Sequence, residues 1–143
     1  MNDKIKFETI MPIINEAFDK GESFTFKPNG VSMLPFIKGG KTSVTIEKYT
    51  GGAQINDVVF YKRDDGKYVL HRIVKIYENG YGVCGDNQWW VEKVNDEQIF
   101  AQVKLVEGKK GSGGFLYLKT LFVRRFIIHI KAYIKKHLRG EKK

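Results

Sequence analysis

A serine in a tight turn is the first residue whose surroundings suggest chemistry. Ser32 lies in Gly30-Val31-Ser32-Met33-Leu34-Pro35, directly after a strand-like run and the turn signal Pro28-Asn29-Gly30. Pro35 fixes one backbone angle and removes a donor, so the loop cannot continue as helix. A presented hydroxyl is a poor nucleophile unless a neighbouring base takes its proton. The alternative is an ordinary turn serine that bonds only to its own backbone.

A base for this serine is available in an apolar strand. His71 lies in the β-branched run at residues 67–75, and strand alternation puts it on one face with Val69 and Ile73. An imidazole with its ordinary pKa near 6.5 is neutral at pH 7 and can accept a proton. If His71 is the base, the rate of the reaction at Ser32 is expected to rise between about pH 5 and 8. A core histidine bonded to backbone is the alternative interpretation.

An aspartate in a Gly-Asp-Asn sequence could support the base. Asp86 follows a predicted strand, and it could orient the imidazole and stabilise its cation, although such a sequence can also be a simple turn. Backbone N–H groups in the loop around Ser32 would meet a developing oxyanion. Gly30, Met33 and Pro35 are the predicted substrate-binding and oxyanion residues of that loop.

The elements that must position these residues are mainly strands. Residues 1–21 have apolar spacing typical of a helix that ends at Gly21. Residues 22–107 then show a period of two, with turns at Asp64-Asp65-Gly66 and Glu78-Asn79-Gly80. The sequence predicts a mainly β fold, a small antiparallel β-ribbon domain or partly open barrel with an N-terminal helix and a C-terminal amphipathic helix. The predicted strands are residues 23–27, 42–47, 57–62, 67–77, 81–84 and roughly 99–106.

The basic charge belongs to the end of the chain. Residues 109–143 contain eleven Lys or Arg and one Glu, a charge of +10, which leaves 9 − 10 = −1 for residues 1–108. Residues 108–114 are predicted to be a flexible linker and residues 115–143 a basic amphipathic helical tail. This arrangement favours an anionic membrane surface over nucleic acid. A helix docked on its own domain is the alternative.

Location and cofactors follow from composition. Charged residues interrupt both the N-terminal segment and residues 115–138, so neither a signal peptide nor a transmembrane helix is expected. We expect a peripheral membrane protein through residues 115–138, otherwise cytoplasmic. Cys84 is the single cysteine and the three histidines are scattered, so the sequence predicts no disulfide, no metal site and no cofactor.

Four short sequences, in order, resemble a known superfamily. Gly30-Val31-Ser32-Met33-Leu34-Pro35 is similar to the nucleophile box of type I signal peptidases and LexA-type self-cleaving repressors. Ile55-Asn56-Asp57-Val58-Val59-Phe60-Tyr61-Lys62 resembles their Gly-Asp-Val-Val strand, with Asn56 in place of the usual Gly. His71-Arg72-Ile73-Val74 falls where the general base stands, and Gly85-Asp86-Asn87 matches the Gly-Asp-Asn box. The resemblance covers residues 23–106.

The resemblance implies a particular chemistry. A histidine at the base position is similar to the serine–histidine branch found in the endoplasmic reticulum and in archaea. It implies a serine endopeptidase with a Ser32–His71 dyad supported by Asp86, acting through an acyl-enzyme on a peptide bound as an added strand. Glu92 is the nearest candidate for the family's second acidic residue. An inactive module of the same fold that binds peptide or tethers a partner to a membrane is the alternative; a repressor is disfavoured, because about 20 residues before the β domain cannot hold a helix-turn-helix domain.

Overall fold

A single helix precedes the sheet and ends where the sequence predicts. A computed structural model describes residues 6–140, the last two without their side chains. Residues 1–5 of the predicted helical segment therefore lie outside the described residues. Helix α1 spans Phe7–Asp19. The N–H groups of Gly21 and Glu22 bond back to carbonyls of its last turn at 3.0 and 2.9 Å, and Gly21 has φ +72°, so the predicted glycine cap is confirmed.

The strands in the described residues form one antiparallel sheet. In chain order they are β1 Phe24–Phe26, β2 Val44–Lys48, β3 Val58–Lys62, β4 Tyr68–Tyr77, β5 Gly80–Cys84, β6 Glu92–Val94, β7 Ile99–Val106 and β8 Lys109–Lys110. The hydrogen-bonded order is β1-β2-β7-β3-β4-β5-β6, with β8 on β7. The sheet does not close within residues 6–140. The mainly β class with a helix at each end is confirmed, as are the β3–β4 and β4–β5 hairpins.

The sheet carries apolar side chains on both faces, and β3 is buried from Val58 to Tyr61. Val58 and Phe60 point to one face, where α1 and the turn after Ser32 cover them. Val59 and Tyr61 point to the other face, where they pack with strands β4 to β7. β3 therefore reads as a continuous apolar run, because strands that are buried on both faces do not alternate.

The predicted linker is an ordered part of the domain. Lys109–Lys110 pairs with β7, the Gly111 N–H donates to the Lys104 carbonyl at 3.0 Å, and the Ser112 carbonyl accepts a hydrogen bond from Arg72. The prediction of a flexible linker at residues 108–114 is therefore wrong. β6 was not predicted either, although it forms one edge of the sheet.

A fully buried ion pair joins β4 to the loop after β5. Arg72 donates two parallel hydrogen bonds to Asp86, both 2.8 Å long, and both side chains have no exposed surface. The third guanidinium nitrogen of Arg72, Nη1, donates to the carbonyls of Asn56 and Ser112. Asn56 has φ +79°, a conformation that suits glycine best and asparagine next, so an asparagine can occupy this position.

The C-terminal helix α2, Phe115–Gly140, docks on this pair through its first turns. Tyr117 donates to Asp86 at 2.6 Å and stacks on Phe36, and Leu121 is buried. From Phe126 onward most of its large apolar side chains are exposed. In residues 6–140 no helix is apolar enough over a sufficient length to cross a membrane.

Loss of the buried ion pair should reduce stability much more than loss of an exposed ion pair. Asp86→Ala leaves the Arg72 guanidinium buried without its carboxylate, so we expect the free energy of unfolding to fall by about 3–5 kcal/mol. Glu16→Ala breaks the exposed Glu16–Lys20 pair and is the matched control, with an expected change below about 1 kcal/mol. Urea unfolding of the two variants measures both values. Similar free energies for the two variants would contradict the structural role of Asp86.

Candidate active site

Ser32 and His71 line the same cleft. Its volume is about 450 Å³, and its walls come from the Pro28–Gly30 segment, the first half of β4 and the start of α1. Apolar walls are provided by Phe7, Met33 and Tyr68. The cleft therefore places the two predicted dyad residues beside a space that a peptide segment can enter.

The Ser32 loop is anchored in the core on one side and left open on the other. Met33 and Ile37 are buried among the residues that pack under α1, and the Ile37 N–H donates to the Met33 carbonyl at 2.9 Å. The N–H groups of Ser32 and Met33 donate no hydrogen bond to any described residue. Gly30 and Met33 line the cleft, whereas Pro35 is exposed and lies outside its lining.

The Gly-Asp-Asn sequence supports the Ser32 loop from behind. The Asn87 N–H donates to the Ser32 carbonyl at 2.8 Å, and the Asn87 side-chain amide donates to the Val31 carbonyl at 3.2 Å. A Cβ on Gly85 would lie 2.5 Å from the Ser32 carbonyl oxygen, so this approach requires glycine. Residues 85–87 therefore fix the backbone of the candidate nucleophile.

His71 is held by a phenol and not by Asp86. Its Nδ1 lies 3.1 Å from the Tyr61 hydroxyl, which donates to Glu92 Oε2 at 3.2 Å. Asp86 accepts hydrogen bonds from Arg72, Tyr117 and Arg125 instead. The prediction that Asp86 orients the imidazole is wrong, because Arg72 follows His71 in β4 and points to the opposite face of the sheet.

The hydrogen-bond network assigns the imidazole tautomer. Arg63 donates three hydrogen bonds to Glu92, which lower the pKa of that carboxyl and keep it ionised and able only to accept. The Tyr61 hydroxyl proton therefore points to Glu92, and the Tyr61 oxygen accepts from Nδ1–H of His71. This leaves Nε2 as the unprotonated nitrogen, the one that can take a proton.

Burial determines the charge of the ring. His71 is only 2% exposed, and desolvation, reinforced by the positive charge of Arg63, lowers its pKa from the ordinary value of 6.5 to about 4. The imidazole is therefore neutral at pH 7, the form that a general base needs. No direct hydrogen bond joins the Ser32 hydroxyl to the His71 ring in the described residues.

One edge of the cleft offers unpaired backbone. Tyr68 to Arg72 pair with β3 on one side of β4, whereas β5 pairs with β4 only from Arg72 onward. Among residues 6–140, the segment Tyr68–His71 therefore has no strand partner on its second side, next to the Pro28–Gly30 segment across the cleft. Such an edge can bind an extended peptide through backbone hydrogen bonds.

Sequence reasoning missed Tyr61, Asn87 and Arg63 as site residues and named Glu92 only through the family resemblance. The contact between Tyr61 and His71 depends on the register that pairs Val59 with His71, which no local pattern reveals. Asn87 belongs to the Gly-Asp-Asn sequence, so that sequence could have identified it as a site residue. No group of three or more His, Cys, Asp or Glu side chains in residues 6–140 is arranged to hold a metal ion.

The sequence matches no protein-family model, and a search of curated proteins finds no significant match.

The lowered pKa of His71 predicts an effect of pH on stability. Between pH 6.5 and about 4 the unfolded chain binds a proton at this position and the folded protein does not, so acid favours unfolding. The contribution is complete above pH 6.5 and is lost as the pH falls toward 4, with a steepest slope of about 1.4 kcal/mol per pH unit. Urea unfolding from pH 7 to 4 should show a smaller slope for His71→Gln than for the unchanged protein.

The matched control for that experiment is His137→Gln, which changes an exposed histidine on α2. We expect it to leave the slope unchanged. Equal slopes for His71→Gln and the unchanged protein would show that His71 titrates alike in the folded and unfolded states.

Proposed function

We propose that this protein is a serine-type endopeptidase with a signal-peptidase-like core, in which Ser32 is the nucleophile and His71 the general base. The observation that carries the proposal is the joint presence of both residues in one cleft, with His71 bonded through Nδ1 and its Nε2 left as the proton acceptor. The resemblance of four sequence boxes to signal peptidases supports the same chemistry.

The substrate is an extended peptide that adds to the free edge of β4. Backbone groups of Tyr68–His71 hydrogen-bond to it, and the Pro28–Gly30 segment forms the opposite wall. This position brings the scissile carbonyl toward the Ser32 hydroxyl. Apolar side chains of the cleft, such as Phe7 and Met33, receive the substrate side chains that point inward.

The first half of the reaction forms an acyl-enzyme. His71 Nε2 takes the proton of Ser32 as Oγ attacks the carbonyl carbon, and the oxyanion is met by the free N–H groups of Ser32 and Met33. The imidazolium then gives that proton to the leaving amine as the peptide C–N bond breaks. A water molecule, deprotonated by His71, attacks the ester and restores Ser32.

Tyr61 and Glu92 take the role first expected of Asp86. The Tyr61 oxygen fixes the Nδ1–H tautomer, and the Glu92 carboxylate behind it favours the imidazolium that forms during attack. In the proposed reaction the hydrogen bond between Ser32 and His71 forms with substrate bound, since hydrogen bonds of this kind tighten on binding.

Loss of either dyad residue should abolish cleavage. We expect the purified protein to cut members of a mixed peptide library, and Ser32→Ala or His71→Ala to give no products above background, because the nucleophile or its base is missing. Mass spectrometry of the peptides detects the cuts. Tyr61→Phe should reduce the rate by a smaller factor, since the ring keeps its packing and loses only its hydrogen bond.

The pH profile provides a separate test. A His71 pKa of about 4 moves the expected rise in rate below pH 5, so cleavage should be level from about pH 6 to 8. This replaces the rise between pH 5 and 8 that an ordinary histidine would give. Unchanged cleavage by Ser32→Ala would exclude the proposal, and peptide binding without cleavage would identify the protein as a binding module of the same fold.

We also propose that the outer half of α2 contacts an anionic membrane surface. Residues 115–138 contain six Lys or Arg and no Asp or Glu, and large apolar side chains are exposed along the helix. Trp89 and Trp90, each about half exposed, lie on the same side, with Trp89 6.0 Å from the His129 ring. Tryptophan, lysine and apolar groups together are typical of interfacial helices.

Substitutions on this half test membrane contact without disturbing the docked half. The triple variant Phe126→Ser, Ile130→Ser, Ile134→Ser removes one exposed apolar face and should abolish sedimentation with anionic vesicles. A triple Lys→Gln change at Lys131, Lys135 and Lys136 should weaken binding by about 1 kcal/mol per lysine. The control is the double variant Ile13→Ser, Ile76→Ser, which changes two exposed apolar residues outside α2. Equal binding by all three would exclude α2 as the contact.

A further inference from the structure

The side chain of Asn87 connects helix α2 to the nucleophile loop. Its amide nitrogen donates to the Val31 carbonyl at 3.2 Å, its amide oxygen accepts from Arg124 Nη2 at 2.9 Å, and its backbone N–H donates to the Ser32 carbonyl at 2.8 Å. One residue therefore contacts both residues that set the position of the Ser32 hydroxyl and one residue of a distant helix.

Arg124 determines which way the Asn87 amide faces. A guanidinium can only donate hydrogen bonds, so it must meet the amide oxygen, and this turns the amide nitrogen toward the Val31 carbonyl. The reversed amide would place NH₂ against the guanidinium and oxygen against the carbonyl, and both contacts would be repulsive. The donor on α2 therefore selects the one orientation that holds the Ser32 loop.

The remaining contacts of Arg124 do not account for its presence. Its Nε, like that of Arg125, is buried and has no hydrogen-bond partner in the described residues. A buried donor left in this state is unfavourable. The neighbouring Arg125 docks the same helix turn through the Cys84 carbonyl and Asp86, so docking does not depend on Arg124 alone.

We propose that Arg124 and Asn87 are positioning residues for Ser32, and that α2 thereby completes the active site. This inference rests on the proposed peptidase function. Loss of Arg124 lets the Asn87 amide turn and releases the Val31–Ser32 backbone, whereas the substrate edge on β4 is untouched. The turnover rate depends on the position of the hydroxyl, and substrate binding depends mainly on that edge.

The test is the kinetics of a cleaved library peptide. We expect Arg124→Ala to lower kcat by a factor on the order of ten to a hundred, with little change in KM, since small misplacement of reacting atoms has effects of this size. Arg124→Lys keeps one donor for the Asn87 oxygen and should restore most of kcat. Lys119→Ala, an exposed basic residue one turn earlier on α2, should have no effect.

Arg125→Ala separates positioning from helix docking. It removes a docking contact of the same turn but leaves the Asn87 amide with its partner. A fall in kcat for Arg125→Ala equal to that for Arg124→Ala would overturn the inference, as would an unchanged kcat for Arg124→Ala. A smaller fall for Arg125→Ala, together with rescue by Arg124→Lys, supports it.

Amide hydrogen exchange tests the connection without any peptidase activity. The Asn87 N–H is bonded to the Ser32 carbonyl, so Arg124→Ala should make it exchange at least tenfold faster, and Lys119→Ala should not. If the unchanged protein cleaves no peptide, the proposed function fails while faster Asn87 exchange still supports the connection. Unchanged Asn87 exchange in Arg124→Ala overturns the connection whether or not peptides are cleaved.

Discussion

The buried pair of Arg72 and Asp86 is the interaction on which the rest of the structure depends. A guanidinium and a carboxylate removed from water are unfavourable unless every polar group finds a partner. Here they bond to each other twice, and the rings of Phe36 and Tyr117 lie within 4.9 and 5.6 Å of the guanidinium carbon. The further acceptors are carbonyls from the segments before β3 and after β8, Asn56 and Ser112. Satisfying one buried charge therefore brings together β4, the Gly-Asp-Asn loop, the segment after β8 and helix α2.

The two residues of the candidate dyad are supported by separate networks on the two faces of β4. The Arg72 face carries the Gly-Asp-Asn loop, whose Asn87 holds the backbone of Ser32. The other face carries Tyr61 from β3 and Glu92 from β6, which hold the ring of His71. Since adjacent residues of a strand point in opposite directions, the neighbours His71 and Arg72 belong to different networks. A shift of β4 by one residue would exchange the two faces and disrupt both.

The parts of this structure that local sequence patterns specify were predictable, and those that depend on register were not. Gly21 and the two hairpin turns carry their own conformational signals, and the strands between them are long and β-branched. β6 is three residues long and β8 two, and four of these five residues are charged, so only their partners in the sheet make them strands. The Gly-Asp-Asn sequence is visible in the chain, but the structure shows that its aspartate bonds to the buried arginine and not to His71. Whether Asp86 contacts His71 or Arg72 depends on the face of β4 to which each of these two side chains points.

The low basicity of a buried imidazole must be reconciled with its proposed use as a base. Desolvation and the charge of Arg63 lower the pKa of His71, while the carboxylate of Glu92 raises it. Arg63 and Glu92 form a pair beside Tyr61, so their opposing effects on the ring come from one place. In the proposed reaction His71 takes the Ser32 proton, and its new positive charge would gain the attraction of Glu92 in surroundings that exclude water, where such attraction is stronger than at the surface. Burial and Arg63 thus keep the ring neutral at rest, and in the proposed reaction the Glu92 carboxylate alone offsets part of the energy required to protonate it.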